Sequence, residues 1–237
     1  MPPEISIMPI TRGSIGVFDF AQNNDSFVFL DANKPRNVWI SSITAGTPKN
    51  LTNNNNPNIQ YYSARFSADG QRIAIVSLEQ FPDKTKKPIW HVLICKDGAI
   101  KEVYSTSASL QLIGWSRTGG LLMAGAVGDL MPSPMNLDIL ALTIGGAIRK
   151  LISIEKAYPF TLTMTADKTT LAFTSRNDTR DDIWTVPISP GAKPKKVTSN
   201  SNPHLFFANL TFSTDGKSVF FDKQGEVDKI SMFENFN

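Results

Sequence analysis

Short apolar blocks, each closed by Gly, Pro, Asp or Asn, cover the chain from end to end. Residues 65–78 show the pattern most plainly, reading RFSADGQRIAIVSL. One strand runs into Ser-Ala-Asp-Gly, and a second, Ile73, Ala74, Ile75 and Val76, leaves it. Asp-Gly between two β-rich runs predicts a hairpin, because Gly tolerates the positive φ that such turns need. The phrase returns as GWSRTGGLLMAG at 114–125, TMTADKTTLAFTS at 163–175 and LTFSTDGKSVFF at 210–221, with a degenerate copy, VFDFAQNNDSFVFL, at 17–30. The turns begin at Ala21, Ser67, Ser116, Thr165 and Ser213, in steps of 46, 49, 49 and 48 residues. A period of about 40–50 residues with hairpins in every unit predicts a β-propeller, one sheet per repeat.

Each repeat reads as four strands, a to d. The first gives 15–20, 26–31, 38–43 and 49–52; the second gives 62–66, 72–78, 88–95 and 100–105. The third gives 110–115, 121–127, 137–144 and 148–152, and the fourth gives 160–165, 170–175, 183–188 and 195–198. Strands b and c are apolar at nearly every position, as expected of sheets covered on both faces. The last repeat has three strands, 209–213, 218–222 and 227–233, and then stops. Residues 4–11, EISIMPIT, supply the missing fourth and would cover an open sheet edge. The expected fold is therefore all-β: a β-propeller of four-stranded antiparallel blades, five blades closed by the N-terminal strand, in one domain over residues 1–237. A six-bladed ring or a fragment of a larger ring is the alternative.

The phrase at 64–77, followed by an aspartate-initiated strand such as 182–187 (DIWTVP) and a closing 195–198 (KKVT), resembles the TolB-like or WD40-like (PD40) propeller repeat. The resemblance covers essentially the whole chain, and Ser67 to Gly70 and Ser213 to Gly216 match best. The family's turn proline is replaced here by Ala68, Arg117 and Thr214. What the resemblance implies is the propeller fold. The motif residues build turns and core, so they do not specify a function.

Composition adds exclusions. Apolar residues make up 41% and charged residues 19%, a globular balance with no sign of disorder. The net charge of +3 is scattered, the densest runs being Lys84/Lys86/Lys87 and Lys193/Lys195/Lys196, so no nucleic-acid partner is expected. No apolar segment reaches the roughly 18 residues of a membrane span, so no membrane insertion is expected. The first residues, MPPEISIMPITRG, lack the pattern of a secretory leader. That leaves the cytoplasm, or the periplasm or exterior if a leader has been removed. The single cysteine, Cys95, reads as a buried hydrophobe, and His91 as a satisfied strand residue. No cofactor and no metal site is expected, and the chain reads as a monomer. The inner strands hold one acid, Asp19, which cannot divide the acid and base roles of a glycosidase. No Gly-x-Ser-x-Gly nucleophile elbow occurs.

Antiparallel order puts the a→b and c→d turns at one end of each blade and the b→c and d→a connections at the other. The second end carries the longer and more varied segments, where function on a rigid scaffold usually sits. Tyr62, Phe160 and Phe207 are expected to pack between blades, which by strand alternation turns Tyr61, Tyr158 and Phe206 toward the channel mouth. With His204 they form the expected binding set, rimmed by Asp83, Asp178, Arg180 and Asp181. The reading is a non-enzymatic recognition module for a protein, peptide or glycan. A glycoside hydrolase or lyase with an unrecognised site is the alternative.

Overall fold

The computed structural model describes residues 14–22, 25–31, 35–43, 47–126, 133–177, 179–225 and 229–234. The chain falls into two compact units, Met1–Glu102 and Val103–Asn237.

In the first unit, strands β1 (Ser14–Phe20), β2 (Ser26–Asp31), β3 (Val38–Ser42) and β4 (Lys49–Asn50) form one antiparallel sheet in sequence order. Strands β5 (Ile59–Phe66), β6 (Arg72–Glu79), β7 (Ile89–Lys96) and β8 (Ala99–Thr106) form the next, again in sequence order. Val28, Val38, Ala64 and Ile75 are wholly buried in one shared core cluster. Asp19 fixes the two sheets to each other, its Oδ2 accepting from the Phe66 N–H at 2.8 Å. The lone inner-strand acid is thus occupied by a backbone donor.

In the second unit, β9 (Ser109–Trp115), β10 (Leu121–Ala126), β11 (Met135–Leu142) and β12 (Ile148–Ala157) make a blade. β13 (Thr163–Met164), β14 (Thr170–Asn177), β15 (Arg180–Pro187) and β16 (Lys195–Lys196) make another, and the two are bridged by the single pair Ala157–Ser175. β17 (Phe206–Phe212), β18 (Ser218–Gln224) and β19 (Lys229–Glu234) form a three-stranded sheet. The Thr174 hydroxyl donates to the Phe207 carbonyl at 2.7 Å, a buried link between β14 and β17. Residues 4–11, expected as the fourth strand of this sheet, lie outside the described residues.

The fold is the expected one, an all-β propeller architecture of four-stranded antiparallel blades. Strands b of the first four repeats are mostly buried, β10 at all six positions, whereas β18 is buried only at Val219 and Phe221. The c strands differ from expectation: β7 and β11 alternate buried with half-exposed residues, so one of their faces is less covered. Inner strand a of the fourth blade also differs, shrinking to two residues after a 3₁₀ turn at Pro159–Thr161.

The repeat's turn has a specific chemistry. The Ser67 N–H donates to the Arg72 carbonyl at 2.8 Å, and the Arg72 N–H returns to the Ser67 hydroxyl at 3.0 Å. That hydroxyl donates to Asp69 Oδ1 at 2.5 Å, and the same carboxylate accepts from the Gln71 N–H at 3.0 Å. Ser213 with Asp215, and Thr165 with Asp167, repeat the arrangement, each hydroxyl donating at 2.6 Å. Ser116 keeps the backbone half, accepting from the Gly120 N–H at 3.1 Å, but meets Thr118 where the others meet aspartate. The fourth turn residue is left-handed in every case: Gly70 at φ 69°, Gly119 at 81°, Gly216 at 72° and Lys168 at 61°.

The closing threonine is equally well defined. The Thr198 hydroxyl donates to Asp182 Oδ1 at 2.9 Å and accepts from the Ile183 N–H at 2.9 Å. In the first blade Thr52 does the same with Asn37 Oδ1 at 2.8 Å and the Val38 N–H at 3.1 Å. The Asn54 and Asn200 N–H groups bind the same two side-chain oxygens at 2.5 and 2.8 Å. An outer strand with only two ladder residues is thereby held by side chains instead.

Candidate functional site

The loop-bearing end of the second unit brings together Tyr158, Arg176, Asp181 and Phe206. Arg176 and Asp181 stand directly opposite each other across the β14–β15 hairpin. Their side chains make a two-point pair, Nε to Oδ1 at 2.8 Å and Nη2 to Oδ2 at 2.7 Å. Asp181 is fully buried, while 39% of the arginine side chain stays exposed. The guanidinium lies 5.9 Å from the centre of the Tyr158 ring, and Phe206 meets that ring edge-on at 4.8 Å. Burial, and then the Asp181 charge, push the Tyr158 hydroxyl up to about 12, with Arg176 opposing. The phenol is therefore a hydrogen-bonding group at neutral pH and not an acid. Asn200 braces the hairpin from outside, donating to the Asp181 carbonyl at 3.1 Å.

This geometry revises the expected rim. The stretch 177–182 is not an open loop: Arg180 already pairs with Asn177, and Asp181 with Arg176. Asp181 is consequently an internal partner of Arg176, while Arg180 and His204 are exposed. Asp178 lies outside the described residues.

Alternation of the aromatic residues is reversed from expectation in two blades. Tyr61 is buried in the first unit's core at 8% exposure, and Tyr62 is the exposed ring at 48%. A register shift between Tyr61 and Ser63 turns the strand by one residue, which exchanges the two faces. In the second unit Tyr158 is buried at 8%, and Phe160, lifted by the Pro159–Thr161 turn, is exposed at 62%. Only the Phe206–Phe207 pair keeps the expected sense, with Phe207 buried and Phe206 partly covered. Tyr62 leans on Trp90 with ring centres 5.0 Å apart. Nearby in sequence, exposed Asp83 folds its own loop, accepting from the Thr85 N–H at 3.0 Å and the Thr85 hydroxyl at 2.7 Å. Those bonds hold its carboxyl below the usual carboxylate range.

Arg176 was missed by sequence reading, although its signal is present. An arginine and an aspartate flanking a tight turn at facing positions form a cross-strand ion pair. His91 sits between Glu102, 2.7 Å from Nδ1, and Glu79, 3.5 Å from Nε2, linking neighbouring strands. Among the described residues no group of three or more His, Cys, Asp or Glu could hold a metal ion. None of the described helices is long and apolar enough to cross a membrane.

No protein-family model matches the sequence, and no curated protein matches it. Solved structures do. TolB from Acinetobacter baumannii superposes with a TM-score of 0.64 at 12% identity, over 93% of this chain and 51% of that one. An oligogalacturonate lyase in complex with manganese gives 0.71 at 14% identity, over 94% and 63%. A chain of a nidogen/laminin complex gives 0.59 at 13%, over 93% and 80%. These likenesses establish the propeller fold. The present chain spans about half of the TolB chain and under two thirds of the lyase.

Proposed function

We propose that the chain is a non-enzymatic recognition propeller, taking a protein, peptide or glycan at the loop-bearing end of its blades. The observation that carries this reading is an exposed aromatic ring in each unit, Tyr62 at 48% in the first and Phe160 at 62% in the second. Large rings held out by a strand (Tyr62 in β5) and by a 3₁₀ turn (Phe160) supply contact area at low entropic cost, the property of binding anchors. His204 and Arg180, also exposed at this end of the second unit, supply polar contacts. The two-point pair of Arg176 with the fully buried Asp181 holds the hairpin in a fixed shape. The name of the nidogen/laminin complex shows a protein of this fold engaged with another protein, which supports the reading.

A peptide phage library and a glycan array, both probed with the purified chain, test this. Binders whose affinity falls on Phe160→Ala or Tyr62→Ala support the reading. Turnover of aryl glycosides or uronides without any selected binder would overturn it in favour of an enzyme.

A further inference from the structure

Between β12 and β14, which share only the Ala157–Ser175 pairing, a cleft of about 320 Å³ opens on the second unit. This size is at the lower end of small-molecule sites, about 300–1,000 Å³. Glu155 and Lys156 line one wall, Arg176 and Asn177 the other, and Trp184 with Pro194 adds an apolar side.

Two features make the cleft more than a gap between sheets. Asp181 occupies Nε and Nη2 of Arg176 from the buried side, which leaves Nη1 as the outward edge of a guanidinium that cannot swing away. With its Nε/Nη2 fork taken by Asp181, the arginine presents Nη1 as a held, charge-assisted donor for a carboxylate oxygen. Across from it, Lys156, the last residue but one of β12, is left-handed at φ 50°, its N–H bound to Asn136 Oδ1 at 3.1 Å. Among the described residues neither Lys156 nor Glu155 has an ion-pair partner.

The charges decide the ligand. Asp181 neutralises Arg176, and Glu155 balances Lys156, so the cleft has separated charges but no local net charge. A simple anion would meet Glu155, and a simple cation would meet Lys156 and Arg176. We propose that the cleft binds a free α-amino acid with an apolar side chain. Its carboxylate is received by Arg176 Nη1 and Lys156, its ammonium by Glu155, and its side chain lies against Trp184. The cleft shares Arg176 with the hairpin described above but none of the exposed aromatic rings, and it does not depend on the macromolecular reading.

The test is titration of the full 237-residue chain with L-leucine and L-phenylalanine, read by calorimetry and by amide and indole NMR shifts. N-acetyl-L-leucine and L-leucinamide, each lacking one charge, are the controls. Saturable binding is expected, with shifts at residues 153–156, 175–177 and the Trp184 indole. Each control should bind about tenfold more weakly or worse, as loss of a charge-assisted hydrogen bond requires. Glu155→Gln and Lys156→Gln alter exposed side chains and so preserve the fold. Glu155→Gln should erase the difference between leucine and N-acetyl-leucine, and Lys156→Gln should weaken leucine. Lys101→Ala, at an exposed position of β8 outside the cleft, should leave leucine binding unchanged. No response to either amino acid at tens of millimolar, equal response to all four compounds, or shifts confined to other residues would each overturn the proposal.

Discussion

Thr198 donates its hydroxyl proton to Asp182 Oδ1 at 2.9 Å, inside a site where the aspartate is 1% exposed. Asp182 receives the Asn200 N–H as well, and Lys196 Nζ stands 2.5 Å from Oδ2. Thr198→Val keeps the shape but leaves the Ile183 N–H without its acceptor and Asp182 one donor short. It should cost about 1–3 kcal/mol. Lys195→Ala, on the same short strand but exposed, should stay within about 0.5 kcal/mol. Urea unfolding of the two variants checks the difference.

Turn glycines give a cleaner test of the repeat. No atom lies within 4 Å of a Cβ built on Gly70, whose φ is 69°. Gly70→Ala therefore isolates backbone strain, expected at about 1–2 kcal/mol. Lys168 occupies the equivalent position at φ 61°. Lys168→Gly should for that reason be neutral or raise the melting temperature, although glycine lowers it at most sites.

Acid should weaken the fold through the same turns. The hydroxyls of Ser67, Thr165 and Ser213 hold the carboxyls of Asp69, Asp167 and Asp215 below the ordinary carboxylate range, with further donors from Gln71, Thr169 and Lys217. A depressed folded pKa adds stability above the unfolded value of about 3.9, and that stability is lost as pH falls through the folded value. Asp19 has the opposite sign, since burial raises its carboxyl despite the Phe66 hydrogen bond. Its contribution is complete below the unfolded value and fades as pH rises. Asp83 has the same sign as the three turn aspartates, and with four groups against one the urea midpoint should fall between about pH 5 and pH 3. A triple Ser67→Ala, Thr165→Val, Ser213→Ala variant should show a shallower fall.

Most of the architecture was legible because turn chemistry and strand hydrophobicity are local. Ser-x-Asp-Gly closes on itself within six residues, so the phrase carries its own structure. Orientation at the loop-bearing end was not legible in the same way. One register shift beside Tyr62 and one 3₁₀ turn at Pro159–Thr161 reverse which aromatic ring faces out, and neither has a signature in an alternating pattern. Asp181 was misplaced for a related reason. Its burial depends on Arg176 from the facing strand, and only the tight hairpin brings the two together.

The reversal makes its own prediction. Tyr61→Ala removes a ring from the first unit's core and should cost about 3–5 kcal/mol, as large aromatic truncations do. Tyr62→Ala removes an exposed ring and should cost far less. Equal costs, measured by calorimetric melting, would mean that the two faces are assigned wrongly.

The central claim is recognition at the loop-bearing end, and competition between variants measures it most directly. A peptide or glycan selected on the wild-type chain is titrated against Phe160→Ala, Tyr62→Ala and Lys96→Ala, the last ending β7 at the opposite end of its blade. The account predicts that one or both aromatic variants lose about tenfold or more in affinity, as hot-spot truncation does, while Lys96→Ala binds like the wild type. Binding that survives both aromatic substitutions and falls with Lys96→Ala would contradict it.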